Sequence, residues 1–242
     1  MFHVKHRNVE RVAAAYDLDD LATRRLAALA GLLAADPDAP TTIRDPGPIA
    51  DDHLADSLVA LQLPELARAT AIADLGSGAG LPGLALAVAR PHASVALVES
   101  NGRKCEFLER ARLACELTNV RVVRGRAEAW TAGLGAHDLV TARALAAPAV
   151  VAEYAAPLLR VGGALVLWRG RRDPDEERAG ERAGEQLGLE VRPPLPVVPY
   201  PGAEHRHLQV MLKRAPTPPG FPRRPGAARK RPLGGPSDRV RR

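Results

Sequence analysis

The run Ala73-Asp74-Leu75-Gly76-Ser77-Gly78-Ala79-Gly80-Leu81-Pro82-Gly83 constrains this chain more than any other stretch. An apolar, strand-like Ala71-Ile72-Ala73 delivers an acid. Three glycines at alternate positions follow, then the helix-like Leu84-Ala85-Leu86-Ala87-Val88-Ala89. Glycine lets the backbone turn sharply from strand to helix and lets a ligand touch the main chain. The dinucleotide spacing G-x-G-x-x-G seats a pyrophosphate on a helix N-terminus. Gly76-x-Gly78-x-Gly80 is tighter, and no phosphate is implied. Closely approaching backbone beside Asp74 suits a cationic, phosphate-free nucleoside, a description that S-adenosylmethionine meets. The alternative at this point is a glycine-rich structural turn.

A second acid narrows the choice. Val95-Ala96-Leu97-Val98 reads as the next strand and ends in Glu99. That places a carboxylate one βαβ unit after the glycine turn, where doubly wound folds hydrogen-bond ribose hydroxyls. The competing reading is a surface Glu that starts the following helix.

At 242 residues the chain suits one α/β domain with extensions, and a hydrophobic content of 46% supports a real core. Aromatic residues, at 3%, leave few rings for base-stacking platforms. Cys105 and Cys115 fall in one helix-like stretch, and ten helical residues separate them by about 15 Å, beyond disulfide reach. They fit no metal site, and none is expected. The N-terminus lacks the apolar core of a signal peptide, and no run of 18 apolar residues exists. A cytoplasmic protein with no membrane association is the expectation.

Charge is uneven. Residues 213–242 hold ten Lys or Arg against one acid, a surplus of nine, so a chain of net +6 leaves −3 for the other 212 residues. The basicity lives in the tail.

In chain order, residues 8–35 read as helical and Ala/Leu-rich, with Leu26, Leu29 and Leu33 at helical spacing. Asp36-Pro37-Asp38-Ala39-Pro40 and Asp45-Pro46-Gly47-Pro48 are breaks. A helix returns over 49–63 with Leu54, Leu58 and Leu61 as its core stripe. His53, Asp56 and Ser57 sit on another face. Grouped on one helical turn, they do not form a nucleophilic triad, and a polar face with local hydrogen bonds is the plain alternative to a functional one. Beyond the glycine turn, strands are predicted at 95–98, 120–123, 138–140, 164–168, 189–191 and 207–212. Helices are predicted near 103–117, near 146–159 (ending at Gly162-Gly163) and at 173–187. The last strand is expected to pair back beside the fifth. Such alternation indicates a mostly parallel sheet covered on both faces. Ala127-Glu128 and Arg143 lie just past strand C-termini, where open α/β sheets bind ligands. Glu128, or the backbone near Ala127, is a candidate for the adenine, and Arg143 for the substrate or the methionine carboxylate.

These pieces together resemble the bacterial ribosomal RNA small-subunit methyltransferase G family, also called glucose-inhibited division protein B. The resemblance is carried by His53 with Asp56-Ser57 and by Asp74-x-Gly76-Ser77-Gly78-Ala79-Gly80-Leu81-Pro82-Gly83. It continues in Glu99-Ser100-Asn101 with Lys104 and Phe107-Leu108, in Gly125-Arg126-Ala127-Glu128 and in Arg143-Ala144. The tail adds Pro222-Arg223-Arg224-Pro225-Gly226 and Lys230-Arg231-Pro232-Leu233. The family's Trp-Asn and Asn-Leu-Thr signatures before residue 45 are replaced by Ala34-Ala35-Asp36-Pro37 and Pro40-Thr41-Thr42-Ile43. Its Lys-Gly after the fifth strand becomes Arg169-Gly170, which keeps the charge but not the donor geometry.

The resemblance implies a Rossmann-like class I S-adenosylmethionine-dependent methyltransferase with a seven-stranded sheet and an N-terminal helical extension. The activity it implies is methylation of guanine N7 in 16S ribosomal RNA. Methylation of another RNA, a small molecule or a protein is the alternative, as is a non-catalytic RNA-binding protein. The expected division is a helical extension over 1–66, a methyltransferase domain over 67–214 and a basic, disordered tail over 215–242. Asp74, Gly76, Gly78, Leu81, Glu99, Ala127, Glu128 and Arg143 are the expected cofactor contacts, with Arg143 also the catalytic candidate. Arg223, Arg224, Arg229, Lys230 and Arg231 are expected to meet phosphates of 16S ribosomal RNA or of the small ribosomal subunit. A monomer is expected.

Overall fold

A computed structural model describes residues 2–235. Helices α1 (Phe2–Ala15) and α2 (Asp20–Ala35) open the chain. The 8–35 stretch is two helices because Asp17 adopts φ +52° and Asp19 caps α2, accepting the Ala22 N–H at 2.7 Å. Leu26, Leu29 and Leu33 form the buried stripe of α2. A composite helical run follows: α3 (Pro46–Pro48), a π-helical stretch Ile49–Ala55, α4 (Asp56–Leu58), a 3₁₀ turn Val59–Gln62 and then α5 (Pro64–Arg68). Here the expected regular helix over 49–63 is corrected. Leu54 and Leu58 are buried as expected, yet His53, Asp56 and Ser57 are buried as well. Widened π turns break the 3.6-residue phase on which a separate solvated face depends, and they recur at functional sites.

The sheet contains β1 (Ala71–Leu75), β2 (Ser94–Glu99), β3 (Val120–Arg124), β4 (His137–Arg143), β5 (Leu159–Arg169), β6 (Leu189–Val191), β7 (Leu195–Pro196) and β8 (His207–Lys213). Its order is β3-β2-β1-β4-β5-β8-β6, with the two-residue β7 added beside β8. The first five strands are parallel, and β8 runs antiparallel to β5, β6 and β7. The mostly parallel α/β sheet and the return of the last strand beside the fifth agree with the sequence. Two details differ: the two-residue β7 makes the sheet eight-stranded where seven strands were expected, and Gly162-Gly163 lies inside β5 rather than at a helix end. The helix ends earlier, at α8 (Pro148–Ala155) and a 3₁₀ turn (Ala156–Leu158). Gly163 then passes so close to β4 that a Cβ would stand 2.7 Å from the Asp138 carbonyl.

Helices α6 (Gly83–Ala89) and α7 (Gly102–Ala114) cover one face, and α1, α2 and the composite run pack outside them into one continuous core. Helices α8 and α9 (Pro174–Leu187) cover the other, where Ala228 of the short α10 (Ala227–Lys230) and Leu233 join the second core. Burial on both faces suits parallel strands and leaves the sheet's C-terminal edge as the natural ligand site.

Close packing of α6 on the sheet yields a direct test. A Cβ on Gly83 would lie 2.4 Å from Leu97 Cδ2 and 2.8 Å from Asp74 Oδ2. Gly83→Ala should therefore cost about 1–3 kcal/mol by overpacking, measured as a lower urea midpoint with an unchanged slope.

Candidate functional site

Three backbone bonds shape the glycine turn. Gly76 N–H and Ser77 N–H donate to the Val98 carbonyl at 2.8 and 3.3 Å, and Gly80 N–H donates to Ser77 O at 2.7 Å. Gly76 takes φ +66°, where L side chains are strained, and a Cβ there would also meet Leu145 Cδ1 at 2.5 Å. The carboxylate at the end of β2 completes the hold. Glu99 Oε2 accepts the Gly78 N–H at 3.1 Å, and Oε1 accepts the Asn101 N–H at 2.8 Å.

These elements open onto a cavity of about 510 Å³ at the C-terminal sheet edge, where Gly76, Glu99, Lys104, Ala127 and Glu128 stand together. The size falls within the usual range for small-molecule sites. Each carboxylate oxygen of Glu99 has a second lone pair left for a hydroxyl, while Ala127 and Glu128 present a short 3₁₀ turn opposite. The lining thus sets open backbone and two carboxylates, Glu99 and Glu128, among the cationic side chains of Lys104, Arg126 and Arg229.

Asp74, Gly78 and Leu81 stand outside this lining. Asp74 lies beneath the turn, wholly buried, its Oδ1 accepting the Thr141 hydroxyl at 2.8 Å. Burial pushes its pKa up to about 6, against the opposing hydrogen bond from Thr141. Gly78 reaches the cavity only through its N–H on Glu99. Leu81 packs into the core among the α6 side chains. Their geometry is that of a support for the cleft floor.

Arg143 belongs to a second cavity, also about 510 Å³, lined with Asp52, His53, Asp56, Trp168 and Arg206. The two cavities share Ala144 and Leu145. Ala144 carries φ +53°, an uncommon conformation for a residue with a Cβ, directly at the junction. The Arg143 guanidinium donates to Asp56 Oδ2 at 2.9 Å and to the Asp52 carbonyl at 3.1 Å. Arg206 lies 3.5 Å from the other oxygen of Asp56, and Trp168 Nε1 donates to the Asp56 carbonyl at 2.7 Å. Arg143 therefore ties the composite helical run to β4, a structural bond that its position after a strand did not reveal.

The tail departs most from expectation. Through residue 235 it packs on the domain, with Ala227, Ala228 and Leu233 buried. Arg223 pairs bidentately with the buried Glu153 of α8, Gly226 N–H donates to Glu128 Oε1 at 3.1 Å, and Arg229 donates to the Leu145 carbonyl at 3.0 Å. Arg224, Lys230 and Arg231 are exposed. Composition favoured disorder because it counts few apolar residues. It does not register a buried acid waiting on another helix. Residues 236–242 of the expected tail lie outside the described residues.

The family described as rRNA small subunit methyltransferase G matches residues 40–193. The chain belongs to this family. The ribosomal RNA small subunit methyltransferase G of Chloroflexus aggregans is 45% identical over 196 residues, covering 80% of this chain and 82% of that protein. That of Rubrobacter xylanophilus is 43% identical over 198 residues, covering 79% and 76%. Among solved structures, the fold is similar to the apo form of the S-adenosylmethionine-dependent methyltransferase SibL, at 17% identity and a TM-score of 0.56 over 86% of this chain and 74% of that one. Aeropyrum pernix fibrillarin with natively bound S-adenosyl-L-methionine is similar at 19% identity and a TM-score of 0.50, over 65% and 73%.

Sequence reading left the roles of His53, Arg206 and Tyr154 unassigned. Only His53 gave a signal, through its place beside Asp56. His53 Nε2 shares a hydrogen bond with the Thr41 hydroxyl at 2.8 Å. Burial first, then the nearby Arg143 charge, lowers its pKa from 6.5 to about 4. The folded ring thus resists a proton that the unfolded chain accepts. The stability this represents is complete above pH 6.5 and is lost as pH falls toward 4. His53→Gln should flatten the stability profile in that window, and ring NMR shifts of the parent protein should stay neutral down to about pH 5.

Proposed function

We propose that this member of the rRNA small subunit methyltransferase G family transfers a methyl group from S-adenosylmethionine to N7 of a guanine in 16S ribosomal RNA. The observation that carries the reading is the pair of equal cavities meeting at Ala144 and Leu145, on the sheet edge where β1 and β4 diverge. One is built for a nucleoside and the other is open to an acceptor base. When bound, S-adenosylmethionine supplies an activated sulfonium methyl. In this reading Gly76 offers close backbone, Glu99 receives the ribose hydroxyls, and Ala127 with Glu128 holds the adenine end.

The acceptor explains the modest chemistry around the second cavity. Guanine N7 carries an available lone pair in its neutral form. It needs no general base, so the chain has only to align it and exclude competing orientations. The low pKa of His53 keeps that ring neutral at working pH and adds no charge beside the base. Arg143, Arg169 and Arg206 line the second cavity, each paired with a carboxylate that fixes its guanidinium: Asp56, Glu176 and Asp52 respectively. With Asp56 already engaged, Arg143 serves as a positioning group for the base-facing wall. A small-molecule or protein acceptor leaves the exposed tail cations Arg224, Lys230 and Arg231 without a task.

Two measurements test the reading. Mapping N7-methylguanine in ribosomal RNA from a strain lacking this gene, and from its complement, should show one modification lost and restored. No change in small-subunit RNA would overturn the assignment. In purified protein, Glu99→Gln should weaken S-adenosylmethionine binding by about tenfold or more, the cost of losing a hydrogen bond to a charged group, as read by calorimetry.

A further inference from the structure

We infer that residues 221–235 form a wall of the cofactor cleft, clamped there by the Arg223–Glu153 pair, so that the tail's basic residues divide between two tasks. Arg223 and Arg229 bond to the domain and serve the nucleoside site. Arg224, Lys230 and Arg231 face outward and serve RNA. This rests on the cofactor assignment proposed above.

Four contacts, each to a different part of the domain, hold the segment here. At its N-terminal end, both oxygens of Glu153 receive the Arg223 guanidinium, which also donates to the Arg231 carbonyl at 2.9 Å and so closes the segment on itself. Glu153 is only 1% exposed, and a carboxylate buried that deeply requires a bonded cation. In the middle, the Gly226 N–H holds Glu128 Oε1. Glu128 is the acid assigned to the adenine end, and its side chain is 5% exposed. Arg229 then crosses to the Leu145 carbonyl, at the junction of the two cavities, and is itself part of the lining beside Tyr154. At the far end, Arg182 of α9 donates through two nitrogens to the Gly234 carbonyl, and Leu233 is buried. The segment is thus fastened at both ends, with its middle against the site.

This arrangement makes Arg223 a positioning residue. It does not line the cleft, but it fixes the segment whose backbone orients Glu128 and whose Arg229 closes the wall. Arg224, Lys230 and Arg231 are exposed around a shallow surface depression of the same short helix and turn.

Calorimetry with S-adenosylmethionine on the full-length chain and five variants tests the division. The first is a chain ending at Pro219 that also carries Glu153→Gln. It keeps Thr217, which receives the buried Lys213 ammonium at 2.6 Å, and leaves no buried carboxylate on α8 without its cation. Its dissociation constant should rise about tenfold or more. The second is Arg229→Ala, an exposed change that preserves folding. Its KM for the cofactor should rise several-fold, with kcat at saturating cofactor within about twofold, a split that simple loss of stability does not produce. The third, the triple variant R224A/K230A/R231A, should bind the cofactor as the parent does. Its log–log salt slope for RNA binding should be smaller by about 2, from roughly 0.7 per lost phosphate contact. Arg223→Lys should restore part of the cofactor affinity lost in Arg223→Ala, because a point charge replaces a fork. Unchanged cofactor affinity in both the shortened chain and Arg229→Ala would overturn the inference and leave the proposed function standing. A full-length chain that fails to bind S-adenosylmethionine would instead overturn the function on which it rests.

Discussion

The end of β2 grips the glycine turn, and the site depends on that grip. The Val98 carbonyl accepts two N–H groups from the turn while the Glu99 carboxylate accepts a third from Gly78. A left-handed backbone at Gly76 and Gly78 leaves amides pointing away from any regular ladder, and buried amides must find acceptors. Neighbouring parallel strands supply them only if β1 and β2 end together. The register, with Leu75 opposite Val98, meets that condition. Turn geometry and strand register are therefore one constraint seen from two sides.

Peripheral segments reach the same edge through carboxylates. Asp56 joins the N-terminal helical run to Arg143 at the end of β4, with Arg206 as a second cation. Glu153 joins the C-terminal segment to α8 through Arg223. Ion pairs of this kind add little net stability, because desolvation consumes most of their Coulomb gain, but losing one partner is costly. We read them as devices of arrangement. They fasten two terminal segments, far apart in sequence, to opposite sides of the cavity pair. Hydrophobic packing alone would place helices there without fixing which atoms face the junction.

This division explains what was legible in the sequence. The turn, the strand alternation, Glu99 and the Ala127-Glu128 pair were readable because each rests on local chemistry: spacing, β-branching, or an acid at a strand end. The depth of Asp74 was not readable, since a motif states which residues are near a turn and not which side of it they occupy. Arg143 was placed at the correct edge, yet its partner lies 87 residues away, beyond any periodicity. The tail failed for the same reason. Its charges signal phosphate binding, whereas Glu153 lies 70 residues upstream in an apolar helix where a lone acid has no obvious purpose. The buried polar group at an apolar position was the available clue, because such a charge demands a partner from elsewhere.

The electrostatics of the two cavities then follow from their fastenings. Around the first cavity Glu99 and Glu128 stand among Lys104, Arg126 and Arg229, and Glu128 is held both by the Gly226 N–H and by the Arg126 guanidinium at 3.8 Å. Around the second, Asp52 and Asp56 are paired with Arg206 and Arg143, and Arg169 with Glu176 of α9. Ala144 sits between them in a conformation that glycine would adopt more cheaply. What distinguishes the two linings is therefore which elements their ion pairs join, and not the sign of their charge, with the strained Ala144 common to both.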